Sequence, residues 1–231
     1  MLRRISLGTM MNLRDLGGYP TADGQETHWG RLFRGDQPME LTERDFQWLQ
    51  EHNVTTVIDL RSDLELERQP DPLAGAPGFT YHHCPLVGGE NLPDTEESLP
   101  KGYFEMLDSK VYMTQILRHI ARAPGGVLFH CTAGKDRTGC TAALLLSLCG
   151  VGLTDILADY QVSETYIMPL IRRVRAEVPN LPAYMGRSKS EYMEECLRLL
   201  LEKYGSTQEY LKVAGMTDEE LNLLRSKLLE E

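Results

Sequence analysis

The sequence predicts an α/β fold: a central sheet flanked by helices, with a C-terminal helical extension. Three observations predict it. Short apolar runs bounded by breakers alternate with helical patterns up to about residue 150. A longer apolar stretch, AALLLSLCGVGL (142–153), follows soon after the last of these runs. Beyond it the chain is helix-rich. A single domain is expected over 1–231, with a sheet-containing core over 1–150 and a helical part over 151–231.

Four segments read as strands. RLFRGD (31–36) follows the turn-like TADGQ, and VTTVIDL (54–60) is β-branched and apolar enough to be buried. FTYHHCPL (79–86) follows the breaker-rich PDPLAGAPG, and GGVLFHC (125–131) is a central strand entered from Pro-Gly-Gly. Thr42 with Asp45 forms a capping box before FQWLQEHN. Tyr103, Met106, Leu107, Met113, Ile116, Leu117 and Ile120 recur at helical spacing and stop before Pro124. After Arg137 the chain turns helical and stops at Gly150. Ser206 with Glu209, and Thr217 with Glu220, start two further helices. The polar, Gly- and Pro-broken GGENLPDTEESLPKG (88–102) reads as a loop placed to act as a lid.

The composition, 42% hydrophobic and 25% charged, is that of a soluble globular protein. A net charge of −10 argues against nucleic acid as a partner and against attachment to anionic lipid by charge alone. MLRRISLGTM has no apolar run after its arginines, so no signal peptide is read, and residues 142–153 are too few to span a bilayer. The cysteines, Cys84, Cys131, Cys140, Cys149 and Cys196, are odd in number and form no CxxC pair. Neither a disulfide framework nor a zinc site is expected, and the cytoplasm is the expected compartment.

The chemistry lies in HCTAGKDRTG, His130 to Gly139, between an apolar strand and an apolar helix. Cys131 stands where a helix N-terminus favours negative charge, a setting that promotes a thiolate nucleophile. The N–H groups of Thr132, Ala133, Gly134, Lys135, Asp136 and Arg137 suit a phosphate dianion. Five residues separate Cys131 from Arg137, one loop around such an anion, and a planar guanidinium grips two phosphoryl oxygens where lysine would not. Gly134 lets the loop curl, and Thr138 offers a hydroxyl to the departing thiolate. His130 is expected to fix the loop by hydrogen bonds, and Lys135 to add a cation at its mouth. No metal or other cofactor is implied, since thiolate and arginine supply what a metal would.

This run resembles the Cys-x5-Arg-Ser/Thr signature of protein tyrosine and dual-specificity phosphatases. The Lys-Asp filling resembles an atypical bacterial and fungal group with an HCxxGKDRT loop, which includes a mycobacterial tyrosine/lipid phosphatase. NLRDLGGY (12–19), LFRGD (32–36) with LTERD (41–45), VIDLRS (57–62), DYQVSETY (159–166) and a tail like YLKVAGMTDEELNLLRSKLL (210–229) match that group in order, so the resemblance covers nearly the whole chain. One departure is Gly35, where serine is expected. The resemblance implies a cysteine-phosphatase-like fold and hydrolysis of phosphotyrosine, with phosphoserine and phosphothreonine as further substrates, through a phospho-cysteine. The alternatives are a phosphoinositide phosphatase, which the cation Lys135 favours, and a non-catalytic phosphate-binding module, which the presence of Cys131, Arg137 and Thr138 opposes. The Arg and Thr also argue against sulfur transfer.

The chain has no Trp-Pro-Asp triplet to supply a general acid. Asp136, inside the loop, is the first candidate, and the resemblance supports it. Asp59, at the end of a buried strand, is the second, with an ion pair to Arg61 as the alternative reading. Asp94 and Asp108 are weaker candidates. Arg14 and Asp15 are expected to form a polar bridge under the loop. Cys84 reaches Cys131 as a resolving thiol if their strands are neighbours; otherwise it is a core cysteine. Arg172, Arg173 and Arg175 read as a solvated helix face before an acidic-substrate site.

Overall fold

The computed structural model describes residues 2–86 and 95–229. Its elements run β1 (Arg14–Asp15), β2 (Leu32–Gly35), α1 (Glu43–Glu51), β3 (Val54–Asp59), α2 (Asp63–Arg68), β4 (Thr80–His83), a 3-10 turn (Glu96–Ser98), α3 (Leu99–Asp108), α4 (Lys110–Arg122) and β5 (Gly126–His130). Five helices follow: α5 (Arg137–Leu148) continues from β5, then come α6 (Leu153–Glu177), α7 (Ser190–Tyr204), α8 (Thr207–Val213) and α9 (Asp218–Leu229). The sheet order is β1-β2-β5-β3-β4. All pairings are parallel except β1 with β2. The predicted α/β class is therefore the observed one.

Strand periodicity divides the apolar residues between two faces. Leu32, Ile58, Val127 and Phe129 enter a large core with α3 to α9. Phe33, Val57 and Leu128 enter a smaller one with Leu7, Met10, Leu13, Leu49 and Leu73. β5 is central and buried at every residue. Gly35 of β2 and Asp59 of β3 both stand opposite His130. Three parallel strands thus end level with one another, directly before the Cys131 loop, where polar groups from several parts of the chain can meet.

Three local features differ from expectation. The single helix expected through 103–120 is two, broken at Ser109. Asp108 explains the break: its carboxylate takes hydrogen bonds from Tyr204 and from Lys203 at 2.8 Å and pairs with Lys110 at 3.1 Å, so α3 closes onto α7 while α4 turns toward α9. The strand β1 and the helix α2 were not expected. Of the expected lid, 88–94 lies outside the described residues, with Asp94; residues 95–102 form the 3-10 turn and the start of α3. Among the described residues no helix is long and apolar enough to cross a membrane.

Candidate active site

The loop 131–136 leaves β5 and enters α5, whose first turn closes with Cys140 N–H donating to Asp136 O at 2.8 Å. Gly134 has φ +65°, and a Cβ there would lie 2.4 Å from the backbone of Gly35, so only glycine fits. Gly35, the departure from the family pattern, is also crowded: a Cβ would meet the Met10 methyl at 2.6 Å and Leu13 Cδ1 at 3.3 Å.

Three consecutive loop carbonyls are held from outside. Thr132 O accepts from Gln37 N at 3.3 Å, Ala133 O from Asn12 Nδ2 at 3.0 Å, and Gly134 O from Asn12 Nδ2 at 3.0 Å and Arg34 Nη2 at 2.8 Å. In a trans peptide the N–H points opposite to the carbonyl. Fixing these carbonyls outward therefore turns the N–H groups of Ala133, Gly134 and Lys135 the other way.

The holders are themselves held. Asn12 Oδ1 accepts from Arg14 Nη1 at 2.6 Å, which aims the Asn12 amide at the loop. Asp159 binds Arg14 Nε at 2.8 Å and also Arg34 Nη1, and Ser163 Oγ accepts from Arg14 Nη2 at 3.0 Å. Burial pushes the Asp159 carboxyl up, but the two guanidiniums outweigh it and bring it to about 2. Arg14 thus supports the loop through Asn12, with Asp159 as its ionic partner. Asp15 does not join the bridge, because its carboxylate accepts from Gly17 N and Gly30 N, both at 2.8 Å.

Arg137 is paired with a residue not anticipated from sequence. Its Nη1 and Nη2 lie 2.5 and 2.7 Å from the two carboxylate oxygens of Glu65, and Thr132 Oγ1 also donates to Glu65. Glu65 caps α2 as well, accepting from Ser62 N at 2.9 Å. Burial works against the charge on Glu65, but hydrogen bonds from Arg137 and Thr132 bring its carboxyl down to about 2. Glu65 therefore stays an anion across the neutral range and fixes the plane of the guanidinium. Glu65→Gln is expected to lower kcat/KM about 10- to 100-fold, chiefly through kcat, the scale of a hydrogen bond between charged groups. Steady-state kinetics on an aryl phosphate checks this, and a loss confined to KM would contradict it.

The remaining expected residues fall as follows. Cys131 is buried at the loop's start, and the Thr138 hydroxyl is buried with no hydrogen-bond partner among the described residues. Asp136 Oδ1 accepts from Tyr103 OH and lies 3.0 Å from Lys135 Nζ. Lys135 is not an open cation at the mouth: only 4% exposed, it donates to Arg187 O at 2.7 Å and so ties the loop to the connection between α6 and α7.

His130 makes no hydrogen bond to the loop among the described residues. Its ring turns instead into an acidic pair, with Nε2 3.0 Å from Asp71 Oδ2 and Nδ1 3.9 Å from Asp59 Oδ1. Burial pushes this imidazole down, but Asp59 and Asp71 outweigh it and raise it above its ordinary value. Asp59 is the ion pair, not an available acid: Arg61 Nε lies 3.0 Å from both its oxygens and Tyr81 OH donates at 2.8 Å. Burial raises the Asp59 carboxyl, yet His130 and Arg61 hold it well below the carboxylate range. A group so held does not carry a proton at neutral pH. Cys84 follows β4, which β3 separates from β5, and burial pushes its thiol up to about 11. Its strand is not the neighbour that the resolving role required. Arg172, Arg173 and Arg175 are exposed on α6, and Arg175 donates to Ala183 O at 2.9 Å.

A buried parallel strand, a cysteine-headed loop with its carbonyls turned out, and an arginine beginning the next helix define a cysteine-dependent phosphoric monoester hydrolase. The comparisons with known sequences agree. Residues 5–230 match the family model described as the tyrosine phosphatase family. The chain is 34% identical to a tyrosine-protein phosphatase of Nostoc commune, over 81% of this chain and 70% of that protein. It is 27% identical to the triple specificity protein phosphatase PtpB of Mycobacterium tuberculosis, over 94% of this chain and 96% of that one. A solved structure of P. aeruginosa TpbA in complex with pTyr is similar at a TM-score of 0.44 and 16% identity, covering 81% of this chain and 88% of that one. The chain belongs to the tyrosine phosphatase family.

Proposed function

We propose that the chain hydrolyses phosphotyrosine in proteins, and phosphoserine and phosphothreonine less efficiently, through a phospho-cysteine on Cys131. The observation that carries this is the outward hold on the carbonyls of residues 132–134, which leaves a row of N–H groups beside Cys131 and Arg137. Cys131 Sγ attacks phosphorus while the bond to the leaving oxygen breaks. Arg137, oriented by Glu65, takes two oxygens of the flattening phosphoryl group. Asp136 gives the leaving oxygen its proton and then takes one from the water that hydrolyses the phospho-cysteine. The Thr138 hydroxyl supports the thiolate as it departs.

The name of the Mycobacterium tuberculosis relative supports breadth of substrate. The phosphoinositide reading rested on Lys135 as an open cation and on lipid-acting members of the group the chain resembles; the commitment of the ammonium to Arg187 O and Asp136 weakens the first of these. Phosphate release from phosphotyrosine, phosphoserine and phosphothreonine peptides and from soluble phosphoinositides tests the reading. Fastest release from phosphotyrosine is expected; fastest release from a phosphoinositide would overturn it.

A further inference from the structure

Asp136 presents its two oxygens unequally. Oδ1 takes the hydrogen bond of Tyr103 OH and the contact of Lys135 Nζ at 3.0 Å. The side chain as a whole is 33% exposed. Tyr103 comes from α3, far from the loop in sequence, and is buried among Tyr160 and the loop residues. Its hydroxyl meets Tyr160 OH at 2.9 Å and lies 3.5 Å from Lys135 Nζ. Two polar groups, the Tyr103 hydroxyl and the Lys135 ammonium, therefore meet one carboxylate oxygen, with Tyr160 behind Tyr103, and none of the three is the nucleophile or the arginine clamp.

We propose that Tyr103 is a positioning residue for the general acid, locking Asp136 through Oδ1 so that Oδ2 carries the transferable proton toward the leaving oxygen. This rests on Asp136 being the acid. In the first step the P–O bond breaks as the S–P bond forms, and the proton on Oδ2 passes to the leaving oxygen. The carboxylate that remains is stabilised at Oδ1 by the Tyr103 hydroxyl, which keeps its own proton throughout; burial and the neighbouring Asp136 raise that phenol well above its ordinary value. In the second step Oδ2 accepts a proton from the attacking water, again with Oδ1 held. Tyr103 touches neither substrate nor phosphorus, and its effect passes only through the orientation of Asp136.

A leaving-group comparison separates this role from packing. Tyr103→Phe removes one oxygen and keeps the ring that packs against Tyr160. With phenyl phosphate, a poor leaving group, kcat/KM is expected to fall about tenfold at the pH optimum, the scale of one hydrogen bond to a charged group. With 2,4-dinitrophenyl phosphate, whose departure needs no proton, it is expected to fall by less than about threefold, which also shows that the variant is folded. In the Asp136→Asn background, Tyr103→Phe is expected to change the ratio of the two substrates no further. Equal losses on both substrates, or an undiminished extra effect in the Asp136→Asn background, would overturn the positioning role. If Asp136→Asn alone fails to discriminate between the substrates, the acid assignment falls first. If it discriminates and Tyr103→Phe does not, only the Tyr103 inference falls.

Discussion

Cys131→Ser is expected to abolish turnover of aryl phosphates while the protein still binds inorganic phosphate. The argument separates the anion's cradle from the nucleophile. The cradle is set by Gln37, Asn12 and Arg34 acting on three loop carbonyls, and by Glu65 acting on Arg137. None of these contacts uses the sulfur. The attack does: a serine hydroxyl is a far weaker nucleophile than a thiolate, and His130, whose ring faces Asp59 and Asp71, is not placed to take its proton. The loss is expected to be on the order of 10⁵-fold or more, as when a nucleophile is removed from other covalent catalysts. Phosphate release measures the first half and calorimetric titration with phosphate the second. Residual turnover near the wild-type rate would sink the phospho-cysteine mechanism.

Asp136→Asn carries the second large effect. Asparagine keeps the shape of the side chain and loses the transferable proton. Phenyl phosphate hydrolysis is expected to fall by about 10²-fold or more, within the range of general acid catalysis, while 2,4-dinitrophenyl phosphate falls only a few-fold. The identity of the acid is decided by that ratio rather than by either rate. Equal losses would make Asp136 a structural partner of Tyr103 and Lys135. The role would not revert to Asp59, whose carboxylate Arg61, His130 and Tyr81 hold in the ionised form. Attention would move to Asp94, which lies outside the described residues.

What was legible in the sequence is what is local. Strand, nucleophile, five-residue loop, arginine and helix all lie between Gly126 and Leu148, so spacing alone exposes them. The strand runs were legible as short apolar, β-branched stretches between breakers; alternation could not show in β5, which is buried on both faces, with Leu128 in one core and Phe129 in the other. The site's supports were not legible, because each acts across the fold. Glu65 is visible in sequence only as a possible cap for α2 after Ser62; its grip on Arg137 joins residues 72 positions apart. Asn12, Arg34 and Asp159 stand in the motifs NLRDLGGY, LFRGD and DYQVSETY, yet nothing in those strings says that they meet. The break at Ser109 escaped because Met106, Leu107 and Met113 keep helical spacing across it, and the break is set by Lys203 and Tyr204 of α7. The strand β1 is two residues long, too short for any period to reveal.

The hold on the loop also has a direction in time. The nucleophile and the arginine are finished once α5 is made, but Arg14 and Arg34 wait for Asp159, 145 and 125 residues downstream of them. Lys135 waits for Arg187, 52 residues downstream of it. Contacts of such separation close late, since the chain between them must be ordered first. A nascent chain that has left the ribosome only as far as α5 has two buried arginines to place and no carboxylate from α6 to balance them. Phosphatase activity should therefore appear only once the chain through Arg187 has emerged, rather than growing steadily with chain length.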